Sequence, residues 1–98
     1  MTDMSGMFCN SVFNTDISKW NVKNVKTMSS MFSWSKFNRD ISGWDVSGVD
    51  NMEFMFYNNH KFNRDISGWD VSNVEYYSMI FENAKINENY KPLKFREN

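Results

Sequence analysis

Three acidic residues recur at one place in this chain. Asp16, Asp40 and Asp65 each follow an asparagine by two positions (Asn14, Asn38, Asn63) and precede a serine by two (Ser18, Ser42, Ser67). A column of carboxylates backed by amide oxygens has the ligand chemistry of weak divalent-cation sites, so Asp16, Asp40 and Asp65 are the candidate metal ligands. The competing expectation is local. Carboxylates brought to about 4.8 Å in neighbouring layers would repel by roughly 0.9 kcal/mol in water, and by roughly 3.5 at an effective dielectric of 20. Keeping them requires compensation from backbone or serine hydrogen bonds at the bend, or from Lys19, Arg39 and Arg64. We expect this local satisfaction, and an amide ladder along Asn14, Asn38, Asn63 and Asn87. No nucleophile is assembled. His60 has no second histidine or activated serine beside it, and the lone Cys9 has no partner for a disulfide or a zinc set. Neither a catalytic centre nor a cofactor is expected.

The acidic column belongs to a longer repeat. FNRDISGWDVSGVDNMEFMF (Phe37 to Phe56) returns as FNRDISGWDVSNVEYYSMIF (Phe62 to Phe81), and a looser copy, FNTDISKWNVKNVKTMSSMF, fills Phe13 to Phe32. The chain opens on the tail of a further copy and closes on a degraded head, giving units 1–12, 13–36, 37–61, 62–85 and 86–98 of one 98-residue domain. Repetition accounts for a composition rich in Phe, Met and Trp and poor in Leu and Ala. Copies align into apolar columns: Phe13/Phe37/Phe62/Ile86, Ile17/Ile41/Ile66/Tyr90, Trp20/Trp44/Trp69/Leu93 and Phe8/Phe32/Phe56/Phe81. Net charge is −1 with the two signs interleaved, so no basic stripe suits nucleic acid. No apolar run has membrane-spanning length or the form of a secretory leader, so no membrane insertion is expected.

Within a copy, Val49, Met52, Met55 and Phe56 share one face of a short helix, and Ser47 with Asp50 and Ser72 with Glu75 have capping-box spacing. The alternation around Ile41 suits a short strand, with a bend at Gly43 and Gly68. Strands pack about 4.8 Å apart and helices about 8–10 Å, so a stack of such units should curve. The expectation is an α/β repeat fold: a short, curved, leucine-rich-repeat-like solenoid of about three to four coils, each a strand plus a helix, with apolar columns as core.

Residues that break the repeat are candidate contacts. Phe54 and Met79 sit where the earlier copy has Ser30, and Trp34, Tyr57 and Tyr76 are likewise non-repeating; together they are candidates for an aromatic protein-contact patch. Lys91, Pro92, Lys94 and Arg96 give the last unit the look of a cap. Met4, Met7 and Phe8 have no copy before them, which leaves an N-terminal stacking edge to be covered by residues upstream, by another chain or by self-association.

These motifs resemble the BspA-like repeat found in mycoplasma surface lipoproteins and in other bacteria, protists and large DNA viruses. Its pattern is V-x-x-M-x-x-M-F, a short link, F-N-x-D-I-S-x-W and D-V-S-N-V, matched nearly fully by Phe37–Ser47 and Phe62–Val74 and more loosely by Phe13–Val25. The resemblance implies a leucine-rich-repeat-like fold used for display and binding. The expected function is therefore a non-catalytic interaction or structural module, as part of a virus particle or larger assembly. The alternative is a surface adhesion or glycan-binding protein using a concave strand face. Localisation is open between an assembly and a cell surface.

Overall fold

A computed structural model of the chain describes residues 2–96. Its unit is a chain of tight turns. In the second copy Met31, Ser33 and Ser35 donate their N–H groups three residues back, to the carbonyls of Met28, Ser30 and Phe32. The alternate residues Met28, Ser30, Phe32 and Trp34 donate outward, to Asn51, Glu53, Met55 and Tyr57 in the next copy, at 2.8–2.9 Å. Every fourth residue is left-handed: Ser30 and Trp34 have φ of 59° and 56°, and Gly6/Asn10, Phe54/Asn58 and Met79/Asn83 repeat the pair.

This overturns the expected α/β solenoid. Among the described residues there is no α-helix and no strand beyond isolated parallel bridges linking Asp3, Thr27, Asn51 and Tyr76; the only helical elements are two 3-10 turns, Glu88–Tyr90 and Leu93–Phe95. The Val49-to-Phe56 segment is not a helix because its alternate N–H groups are taken by the neighbouring copy, and left-handed residues interrupt the negative φ that a helix requires. Hydrogen-bonded copies are too close for helices to pack: a β-carbon at Gly48 would lie 3.2 Å from the carbonyl oxygen of Lys23. The capping boxes fail with the helix. Ser47 and Ser72 each donate N–H and hydroxyl to the aspartate two residues before, Asp45 and Asp70. With the same close spacing on both sides, the expected cause of curvature is gone, and the leucine-rich-repeat likeness goes with it.

The segment read as a strand has a different ladder. Asn38 N–H donates to the Asn14 side-chain oxygen, Asn63 N–H to that of Asn38, and Asn87 N–H to that of Asn63, at 2.8–3.0 Å. Side-chain amides thus stand where strand carbonyls would, and copies are joined in register without a sheet. The bends at Gly43 and Gly68 are as expected, closed by Trp44 N–H to Ile41 and Trp69 N–H to Ile66.

The apolar columns form the core of a compact body of 32 × 28 × 20 Å. Phe8, Phe32, Phe56 and Phe81 stack at 5.5–5.8 Å, and Phe13, Phe37 and Phe62 form a second pile at 6.3–6.4 Å. The piles interlock, Phe32 on Phe37 at 4.3 Å and Phe56 on Phe62 at 4.4 Å. Offset ring pairs add roughly 0.5–1.5 kcal/mol each beyond the area they bury. Trp44 and Trp69 are buried, whereas Trp20 is 40% exposed and Leu93, in the same column, is 78% exposed. The last unit covers part of the far end by other means. Phe95 packs on Tyr77 and Phe81, and Lys94 donates to the carbonyls of Val71 and Val74.

One extra residue in the link between Phe56 and Phe62 is absorbed by Asn59, which is fully buried. Its oxygen accepts from the N–H groups of Lys61 and Phe62, and its amide donates to the carbonyls of Phe32 and Phe37. In the shorter links Ser11 and Ser35 supply the bond to the following phenylalanine N–H.

Candidate interaction surfaces

The polar face carries the acidic column. Asp16, Asp40 and Asp65 each accept the backbone N–H of the serine two residues on, at 2.9–3.0 Å. These bonds hold all three carboxyls below the usual aspartate range. For Asp16 and Asp40 the serine backbone bond is the largest cause, and for Asp65 the Ser67 hydroxyl leads. Cations of the following segment add to the effect, Arg39 beside Asp16, Arg64 beside Asp40 and Arg96 beside Asp65; repulsion between Asp16 and Asp40 is the smallest contribution. The arginines are tied down as well, Arg39 to the carbonyl of Asn14 and Arg64 to that of Asn38. A shallow depression of about 270 Å³ lies among Asp16, Ser18, Arg39, Asp40 and Arg64. No three His, Cys, Asp or Glu side chains converge into a metal-binding group among the described residues. The arrangement is therefore an alternation of acid and guanidinium, with one oxygen of each acid already committed.

The non-repeating aromatic residues gather on the flank of the turns. Tyr57 lies edge-on to both Trp34, at 6.1 Å, and Phe54, at 5.4 Å. Phe54 N–H donates to Ser78 in the next copy, and Tyr76 and Met79 line an adjoining depression of about 550 Å³ with Glu53, Glu75, Tyr77 and Ser78. All five candidates thus share one flank. Trp34, Phe54 and Met79 hold left-handed backbone, which costs a residue with a β-carbon roughly 1–2 kcal/mol. The asparagines and glycine at equivalent positions in other copies tolerate that conformation.

The N-terminal edge is the third surface. Met4 is buried, Met7 and Phe8 are half-buried, and Phe8 stacks on Phe13 at 4.0 Å. Trp20 and the highly exposed Val12 also lie outside the core, and sequence reasoning singled out neither as exposed. The signal for Trp20 was present: it is the first of its column and has no copy before it. Cys9 is exposed and unpaired with another cysteine, and His60 is exposed in its link.

Copies of one motif, held in register by backbone rows and an asparagine ladder, define a repeat protein. A family model described as "Mycoplasma protein of unknown function, DUF285" matches residues 1–93, and the chain belongs to this family, that of the BspA-like mycoplasma repeats. No curated protein and no solved structure matches the chain. No helix among the described residues is long and apolar enough to cross a membrane.

Proposed function

We propose that this chain is a non-catalytic interaction and structural module that presents its turn flank to another protein, as part of a larger assembly such as a virus particle or a cell-surface structure. The observation that carries this reading is the cluster of Trp34, Phe54 and Tyr57, continued by Tyr76 and Met79. Trp34 and Met79 occupy left-handed positions there and remain largely exposed, a conformational cost that core burial does not offset. Aromatic side chains held rigidly at a surface are the usual anchors of protein contacts. The polar face supports a glycan-binding role less well. Its asparagine oxygens are engaged by backbone N–H groups, and the buried Trp44 and Trp69 are withheld from any sugar ring.

The test uses a photo-reactive residue at position 34, in the cells from which the chain derives. The expected result is a discrete protein adduct, lost in Phe54→Ser/Met79→Ser while the melting temperature holds. An adduct that persists unchanged in the double variant, or none at all, removes this flank as the contact.

A further inference from the structure

Hydrogen bonds between copies have a direction. In each of the three junctions four N–H groups of the earlier copy donate to four carbonyls of the later one, as Met4, Gly6, Phe8 and Asn10 donate to Thr27, Ser29, Met31 and Ser33. Reversed bonds flank the first row, from Lys26 to Thr2 and from Lys36 to Ser11. The pattern leaves two unmatched rows. At the N-terminal edge the carbonyls of Asp3, Ser5, Met7 and Cys9 accept nothing from the described residues. At the other edge the N–H groups of Tyr77, Met79, Phe81 and Asn83 donate to nothing among them. The two rows belong to equivalent peptide groups of the repeat, one offering the carbonyls and the other the N–H groups, so one is the register-matched complement of the other.

Two further features mark the edges as a pair. Trp44 and Trp69 reach back to carbonyls of the preceding copy, but the Trp20 indole N–H meets no carbonyl among the described residues and stands half-exposed. At the opposite edge a groove of about 200 Å³ runs beside the donor row, between Tyr77, Met79, Phe81, Lys91 and Phe95.

We infer that the N-terminal edge is completed by the C-terminal edge of a second copy of this chain, giving a head-to-tail assembly in which the backbone rows of one copy continue into the next. This rests on the reading of the chain as an interaction module and names one of its partners. Two N-terminal edges cannot continue the four-bond row with each other, because in that row each presents carbonyl acceptors only. A head-to-tail contact is heterologous, so it extends into a row of copies or closes into a ring.

Sedimentation velocity on the 98-residue chain tests the inference. The weight-average mass of the wild type should at least double between about 10 µM and about 1 mM, the range of weak dissociation constants. Trp20→Arg spoils the acceptor edge alone, facing the Lys91 and Lys94 of an incoming copy. It should be monomeric by itself, yet labelled Trp20→Arg added to wild type should enter the assemblies at one end and shorten them. Ser5→Arg, on an exposed residue of the same edge, should behave identically if loss of the Trp20 ring unfolds the chain. Exclusion of both variants from wild-type assemblies would mean that heads meet heads, and overturns the inference. So does assembly of either variant like the wild type, or a wild type that stays monomeric to about 1 mM. In the last case a surviving adduct from position 34 leaves the module reading standing, whereas its absence removes both.

Discussion

The indole N–H of Trp44 donates to the carbonyl of Ile17 at 3.0 Å, and Trp69 repeats the bond to Ile41. A side chain in the core of one copy is thereby tied to the backbone of the copy before it. Trp20 heads the same column and meets no such carbonyl among the described residues. Trp44→Phe should therefore cost about 1–2 kcal/mol, the loss of a buried hydrogen bond and some packing. Trp20→Phe should cost less than about 0.5 kcal/mol. Urea denaturation of the two variants measures the difference, and equal losses would contradict the inter-copy role of the bond.

Asn59 satisfies two N–H groups and two carbonyls from a site with no exposure. Asn59→Leu leaves Phe62 N–H and its neighbours buried without partners, at a cost of about 2–4 kcal/mol. Deleting His60 to restore the shorter link should not rescue Asn59→Leu, whereas pairing that deletion with Asn59→Ser should recover part of the loss. Denaturation midpoints of the three variants give the comparison.

Six aspartates, Asp3, Asp16, Asp40, Asp45, Asp65 and Asp70, are held below their ordinary value of 3.8 by serine hydrogen bonds. A carboxyl whose folded value lies below its unfolded one contributes stability above the unfolded value and loses it as the pH falls through the folded one. The melting temperature should thus be level near neutral pH and fall progressively once the pH drops below about 4. Ser72→Ala, which removes the hydroxyl bonded to Asp70 at 2.7 Å, should make that fall shallower. A melting temperature that rises on acidification would contradict the assignment.

The same commitment of oxygens bears on cations. With Asp16, Asp40 and Asp65 each bonded to a serine N–H and offset by a guanidinium, millimolar calcium should leave the melting curve unchanged. An upward shift that saturates with calcium and vanishes in Asp40→Asn would establish the acidic column as a site.

Met79 holds a φ of 55° with its side chain largely in solvent. Met79→Asn, the residue type that stands at left-handed Asn10, Asn58 and Asn83, should stabilise the fold by about 0.5–1 kcal/mol. It should at the same time weaken capture by the flank partner. A variant that gains stability and keeps its capture would separate Met79 from the contact surface.

The columns were legible because equivalent side chains of a repeat must meet equivalent neighbours. Val25, Met28, Phe32, Ile41, Val49, Met52 and Phe56 are all buried as their positions implied. The serine bonds of the acidic column were legible too, since an aspartate two residues before a serine N–H needs nothing beyond its own segment. The C-terminal column was misread at Leu93, whose place in the Trp series pointed inward. Phe95 and Lys94 pack on that end instead, a choice made by which residue reaches the rings of Tyr77 and Phe81.

The amino-acid order by itself determined the repeat, its period and the residues that face inward. It left open whether Val49, Met52, Met55 and Phe56 lie on a helix or along turns, because apolar residues three and four apart face one side in both. Only the tertiary structure decided this. Each N–H in that segment can bond within its own copy or across to the next, and the outcome depends on how closely two copies far apart in the chain approach. At hydrogen-bonding distance the neighbour takes every second donor, and a helix can no longer form.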